Sequence, residues 1–343
     1  MILGFFALFF VSLLCQILVL SFSRKFNVGI DLPEKSNRSK HKTHSLSVPR
    51  TGGVGIFISF WVAVAFLDFD FRLVLLFSSC FIVGFVEDIN KNLNSSLRLY
   101  LIAVISASSL LVFDRALLTD IGVFFPVWFA VPFTVFAFSG LTNAINIVDG
   151  MHGLSSGIVL LALFFLGYSA FCYGDAFLVG ALFYSFAIVL GFFVLNFPRG
   201  WTFLGDGGAY LLGFLSALLA TLLINRNPQI SPWYPVVIFL YPITDTLFSI
   251  YRRRFVSHRN AMAADKLHLH ILVKKRLFRN SPYSTLLILG HIFIIDVIAV
   301  LMKNSTAGLI LLFILGNILY VYVYEHLVRF KARNIFKKQL NSI

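Results

Sequence analysis

The chain has 343 residues, of which 59% are hydrophobic and only 13% charged, with a formal net charge of +13 and a mean hydropathy of +0.88. Soluble domains are about a quarter charged, so a soluble fold is excluded and a polytopic, all-α integral membrane protein is expected. No long hydrophilic segment exists, which predicts one transmembrane domain over residues 1–343, and Cys15, Cys80 and Cys172 lie in apolar runs as packing residues, offering no disulfide framework or cysteine metal site.

The N-terminus, MILGFFALFF, lacks a basic leader region and a small-residue cleavage site, and its apolar run to about Leu20 is too long for a signal peptide. It reads as the first of eleven spans: Ile2 to Phe22, Val54 to Leu67, Leu73 to Val86, Leu99 to Phe113, Ile121 to Leu141, Leu154 to Cys172, Ala176 to Phe197, Ala209 to Leu223, Tyr234 to Ile250, Leu286 to Met302 and Ala307 to Tyr324. Eleven spans put 24 of the 28 Lys and Arg residues on the face that bears the C-terminus. By the positive-inside rule that face is cytoplasmic and the N-terminus is outside. Topology therefore explains the positive charge without a nucleic-acid partner, and attraction to anionic headgroups or an anionic substrate adds to it.

Asp31, Glu87, Asp88, Asp149, Asp206 and Asp265 fall on the same face, several of them in glycine-bearing contexts where backbone can approach a ligand. Glu87 and Asp88 end the third span as adjacent carboxylates. They could share a proton, bind a divalent ion or divide into base and ligand, or form a solvated helix end. The stretch NAINIVDGMHGLSSG, between two apolar runs, sets Asn143, Asn146, Asp149 and His152 at a membrane edge in a flexible, glycine-containing turn. Such a turn suits a metal or phosphate, whereas a plain interhelical loop needs only small polar residues. In FLGDGGAYLLG, Asp206 opens a span where free N–H groups favour anions, or is itself the N-cap.

Asp245 lies within a span, where a charge is costly, and is expected to pair with one of Arg252 to Arg254 or with a neighbouring span. His268 and His270 follow in a basic loop that can surround an anion. Two apart in a helical setting, they point to different faces, which argues against a two-histidine zinc site and fits phosphate or sugar better. His291 and Asp296 lack a polar, glycine-rich setting and read as packing or a polar contact to another span.

Asp31 with Pro33, HKTHSLSVPRTGG (His41 to Gly53), GFVEDI, NAINIVDGMHG, FLGDGGAYLLG and DKLHLH together resemble the polyprenyl-phosphate N-acetylhexosamine-1-phosphate transferases, in the family's order and over most of the chain. The resemblance implies an enzyme of the bacterial inner membrane that joins a UDP-activated N-acetyl sugar to undecaprenyl phosphate at its cytoplasmic face, releases UMP and starts a cell-surface glycan. It implies Mg2+, or Mn2+, held by Asp206 and Asn146 with Asp149 close by, and a paired-acid position at Glu87 and Asp88 that deprotonates or orients the lipid phosphate. Arg98, His268 and His270 would contact phosphates or sugar, and Lys42, His44, Arg50 and Asn143 would join them in binding substrate. A homodimer is compatible with the family.

Three positions depart from the family's pattern. The paired aspartates are Glu87 and Asp88, the segment from Asp31 to His44 is longer, and the second acidic or amide position of the DGxDG motif is His152, expected to face the nucleotide base. A transporter or lipid flippase would share the apolar composition, with ionisable residues at mid-membrane, where this chain has mainly Asp245, His291 and Asp296.

Overall fold

The computed structural model describes residues 1–31, 48–67, 69–90, 93–256, 258 and 267–340, with side chains except at Ile30, Asp31 and beyond Val328. Lys42 and His44, both expected to bind substrate, lie outside these residues, as does Asp265. Apart from a two-stranded antiparallel pair, β1 (Ile30–Asp31) with β2 (Val48–Pro49), the regular structure is helical. The helices are α1 (Ile2–Phe26), α2 (Gly52–Leu67), α3 (Phe71–Asn90), α4 (Ser95–Val112), α5 (Val127–Val148), α6 (Leu154–Cys172) and α7 (Ala176–Asn196). They continue with α8 (Gly205–Arg226), α9 (Trp233–Ile238), α10 (Leu240–Tyr251), α11 (Leu269–Val273), α12 (Ser281–Leu301) and α13 (Thr306–Leu340). Among the described residues nine helices are long and apolar enough to cross a membrane, so the chain is an all-α polytopic membrane protein. The other two expected spans correspond to α2, of 16 residues, and to the pair α9 and α10.

Helix α8 is the axis of the bundle. From Gly207 to Ile224 every residue is buried, and α2, α3, α5 and α6 pack around it. The approach of α3 is closest at Gly84, where a Cβ would run into the backbone of Asp206, so a glycine is needed for the two helices to meet there. Of the three cysteines Cys80 is buried in the core, while Cys15 is half-buried and Cys172 exposed.

Three boundaries differ from expectation for physical reasons. The span expected from Ile121 begins at Val127, because Ile121 to Phe125 form a turn closed by the Gly122 N–H on Asp120 Oδ1 at 2.6 Å, and Pro126 sets the start of α5. At its other end α5 runs on to Val148, since nothing between Leu141 and Val148 breaks a helix. Asn143 and Asn146 therefore stand one turn apart on a helix rather than in a flexible turn. The span expected from Tyr234 to Ile250 is broken at Phe239, where Pro242 offers no N–H and its ring would meet the carbonyl of Ile238.

Candidate active site

The start of α8 is built by residues of three helices. Asp88, in the last turn of α3, accepts the backbone N–H groups of Asp206 at 3.1 Å and Gly207 at 3.0 Å. These are donors that a helix N-terminus cannot satisfy internally, so α8 is capped from another helix. That corrects the reading of Asp206 as the N-cap: its own carboxylate points instead to Arg98 of α4, whose Nη1 lies 2.7 Å from Oδ2. Glu87 accepts the Leu93 N–H at 2.9 Å on Oε2, and its Oε1 lies 3.9 Å from the same Arg98 Nη1 that meets Asp206. Glu87 and Asp88 are half-buried and take different partners, so they do not form a solvated helix end.

Asp149 follows the last residue of α5, and its Oδ1 accepts the Ser155 hydroxyl at 2.5 Å. Burial pushes its carboxyl up to about 6; the Ser155 hydrogen bond and the charge of Arg50 oppose that rise and the charge of Asp206 adds to it. Arg50 thus acts on Asp149 from the far side of the chain, where β2 leads into α2. The turn beyond is pinned on all sides. Gly153 donates its N–H to Asn196 Oδ1 at 2.6 Å, and the His152 carbonyl accepts the Thr285 hydroxyl of α12 at 2.8 Å. The ring of His152 packs on Phe203, its Nδ1 is 3.2 Å from the Pro198 carbonyl, and its Nε2 is buried. Burial lowers its pKa, countered by the Pro198 contact and supported by Lys274, so Nδ1 of a neutral ring donates to Pro198. These contacts brace His152 within the protein.

A second polar cluster meets this turn. Asp245 on α10 is 1% exposed and takes three donors: His268 Nδ1 at 2.6 Å on Oδ2, and the Leu269 N–H at 3.0 Å and the Tyr320 hydroxyl at 2.7 Å on Oδ1. Tyr320 belongs to α13, so the neighbouring-span alternative holds. Arg252 and Arg253 hydrogen-bond to Ser249, and Arg253 reaches Asp245 through its charge. The rings of His268 and His270 stack with centroids 5.5 Å apart, and both are buried. His270 lies against Gly150, where a Cβ would come within 2.8 Å of its Nε2, so the glycine beside Asp149 is what lets the imidazole approach. Burial pushes His270 down to about 4, with Asp245 opposing and His268 and Lys274 adding. Sequence reasoning missed Ser155, Tyr320 and the partnership of Asp245 with His268; the signal for the last was a carboxylate inside an apolar run.

Asp296 on α12 is 1% exposed, and neither carboxylate oxygen has a hydrogen-bond partner among the described residues. It lines a cavity of about 250 Å³ with His291, Tyr241 and Tyr320. Of the two readings, packing or a polar contact to another span, the contact is not made among the described residues.

Among the described residues no three His, Cys, Asp or Glu side chains are grouped closely enough to hold a metal by themselves. The carboxylates of Asp149 and Asp206 and the half-buried amides Asn143 and Asn146 are hard oxygen donors. They fit Mg2+, which is commonly bound by one or two carboxylates together with substrate phosphates. A cavity of about 470 Å³ opens between α1, α2 and α3, with Arg50 and Asp88 among walls that include Leu18, Phe22, Val54 and Phe85.

Residues 71–224 match the family described as Glycosyl transferase family 4, a stretch that holds Glu87, Asp88, Arg98, Asn143, Asn146, Asp149, His152 and Asp206. Over 349 residues the chain is 28% identical to the probable undecaprenyl-phosphate N-acetylglucosaminyl 1-phosphate transferase of Bacillus subtilis (strain 168), covering 97% of this chain and 96% of that one. Two undecaprenyl-phosphate alpha-N-acetylglucosaminyl 1-phosphate transferases are also similar. That of Thermotoga maritima is 26% identical over 275 residues, covering 79% of this chain and 80% of its own length. That of Escherichia coli (strain K12) is 27% identical over 325 residues, covering 89% and 87%.

Proposed function

Since the chain belongs to glycosyl transferase family 4, we propose that it is a polyprenyl-phosphate sugar-1-phosphate transferase. It takes an N-acetylhexosamine 1-phosphate from a UDP-sugar, places it on undecaprenyl phosphate and releases UMP, as the first step of a bacterial cell-surface glycan. The observation that supports the reading best is the junction at the start of α8, where the carboxylates of Asp88, Asp149 and Asp206 lie with the guanidinium of Arg98 and in range of the charge of Arg50. Hard oxygen donors for a divalent cation and cationic side chains are what a pyrophosphate donor requires.

In the transfer an oxygen of the lipid phosphate attacks the β-phosphorus of the UDP-sugar, and the bond from that phosphorus to the bridging oxygen breaks, leaving UMP. Asp206 and Asn146, with Asp149 in Coulomb range of Asp206, would hold Mg2+ or Mn2+, whose charge when bound neutralises the pyrophosphate oxygens. Arg98 exchanges its contact with Asp206 for a substrate phosphate. Asp88 fixes the end of α8, and the acceptor phosphate, already ionised at neutral pH, needs orientation more than deprotonation. The apolar cavity bearing Arg50 suits the acceptor's phosphate with the first units of its tail. Eleven crossings, with the N-terminus outside and the C-terminus inside, put this site on the cytoplasmic face of the inner membrane, within one domain over residues 1–343. Release of UMP from UDP-N-acetyl sugars in the presence of undecaprenyl phosphate tests the proposal.

A further inference from the structure

Asp245 is a buried carboxylate that no step above uses, and its surroundings constrain its neighbour's chemistry. The Leu269 N–H and the Tyr320 hydroxyl, at 3.0 and 2.7 Å, both point at Oδ1, and a backbone N–H can only donate. Oδ2 then faces His268 Nδ1 at 2.6 Å in a site 1% exposed, where an acceptor opposite an acceptor would be strongly unfavourable. The proton therefore sits on Nδ1, and Nε2 is the nitrogen left for other work. Two of the three contacts hold consecutive residues, His268 and Leu269, so the carboxylate also fixes where α11 starts. From there the chain of contacts is short: His268 stacks on His270, and His270 rests on Gly150 beside Asp149.

We infer that Asp245 is a positioning residue for the transfer, holding His268 in the Nδ1-protonated tautomer with Nε2 turned to the substrate side, and through the stacked pair setting His270 against the Asp149 turn. The inference rests on the proposed activity for its kinetic consequence but not for the tautomer. Asp245→Asn is nearly isosteric. Its amide oxygen must stay on the Leu269 and Tyr320 side, so its NH2 faces Nδ1 and drives the proton to Nε2.

Two measurements test this on the full-length protein in nanodiscs. In 15N-histidine spectra at about pH 8, where an ordinary imidazole is neutral, the resonances lost in His268→Ala identify His268. They are expected to show Nδ1 protonated in the wild type and Nε2 protonated in Asp245→Asn; an Nε2-protonated wild type would overturn the inference whether or not Asp245→Asn folds. In UMP-release kinetics Asp245→Asn and His268→Ala are each expected to lower kcat/KM about 10- to 100-fold, and the double variant to lose no more than His268→Ala. Losses that multiply would mean that Asp245 only ties helices together. A wild type with no UMP release would overturn the proposed function and leave the tautomer to decide the role of Asp245.

Discussion

The carboxylate of Asp88 caps the helix that carries Asp206, although 118 positions separate the two residues, and it does so by accepting the N–H groups of Asp206 and Gly207 at 3.1 and 3.0 Å. The end of α8 is thus held by α3, and Asp206 is left to face Arg98. Removing the cap should loosen this end of the helix. Asp88→Ala is expected to cost about 1–2 kcal/mol of stability and to abolish transfer, while Asp88→Asn, which can still accept one N–H, keeps more of both. Thermal melts and UMP release on the two variants check it; an alanine variant as stable as the wild type would contradict the cap.

Arg98 and Asp206 are both partly exposed, at 17% and 25% for their side chains, so their ion pair adds little to stability. Arg98→Ala is therefore expected to melt within about 1 kcal/mol of the wild type and yet to lose about 100-fold in kcat/KM, an effect of the size a phosphate-binding cation supplies. Arg98→Lys should recover part of that loss, as a point charge without the planar fork. A large fall in stability with little change in rate would make the pair structural.

Asp149 and His270 titrate in opposed senses. The Asp149 carboxyl is raised from 3.8 to about 6, so its favourable contribution is complete below pH 3.8 and is lost as pH rises through about 6. The His270 imidazole is lowered from 6.5 to about 4, so its contribution is complete above pH 6.5 and is lost as pH falls through about 4. Each shift corresponds to at most about 3 kcal/mol, less for Asp149, which keeps some solvent contact. With EDTA present, and relative to the wild type, the melting temperature should shift toward greater stability at acid pH between pH 6.5 and 4 in His270→Gln and toward lower stability at acid pH in Asp149→Asn. Parallel slopes in the two variants would contradict the assignment.

Asp296 is buried and neither carboxylate oxygen is hydrogen-bonded among the described residues, an arrangement that costs stability. Asp296→Leu is expected to stabilise the protein by about 1–3 kcal/mol and to leave UMP release unchanged. Lower activity in a stabilised variant would show that the cavity beside His291 takes part in function.

The apolar runs made the helices legible, because a span needs little more than length and hydropathy, and the glycine-bearing acidic motifs marked the start of α8 and the end of α5. Local patterning could not reveal contacts between distant segments. Nothing near Asp206 shows that Asp88 does its capping, and nothing near His268 shows that Asp245 fixes its proton. His152 stood in a motif position and took its role from that position, while the structure commits its ring to Pro198 and Phe203. Pro126 and Pro242 were visible and shifted or broke their helices for reasons of backbone geometry that an apolar-run reading overlooks.

The central claim is tested most directly by incubating the purified protein with UDP-N-acetylglucosamine, undecaprenyl phosphate and Mg2+, and following UMP and the lipid-linked sugar pyrophosphate together. Equal amounts of the two products are expected, with none formed when EDTA is added or when Asp206→Asn, which should insert and melt like the wild type, replaces it. If no donor in a panel of UDP-N-acetyl sugars yields UMP, or if Asp206→Asn turns over at the wild-type rate, the assignment of this site to sugar-1-phosphate transfer is contradicted.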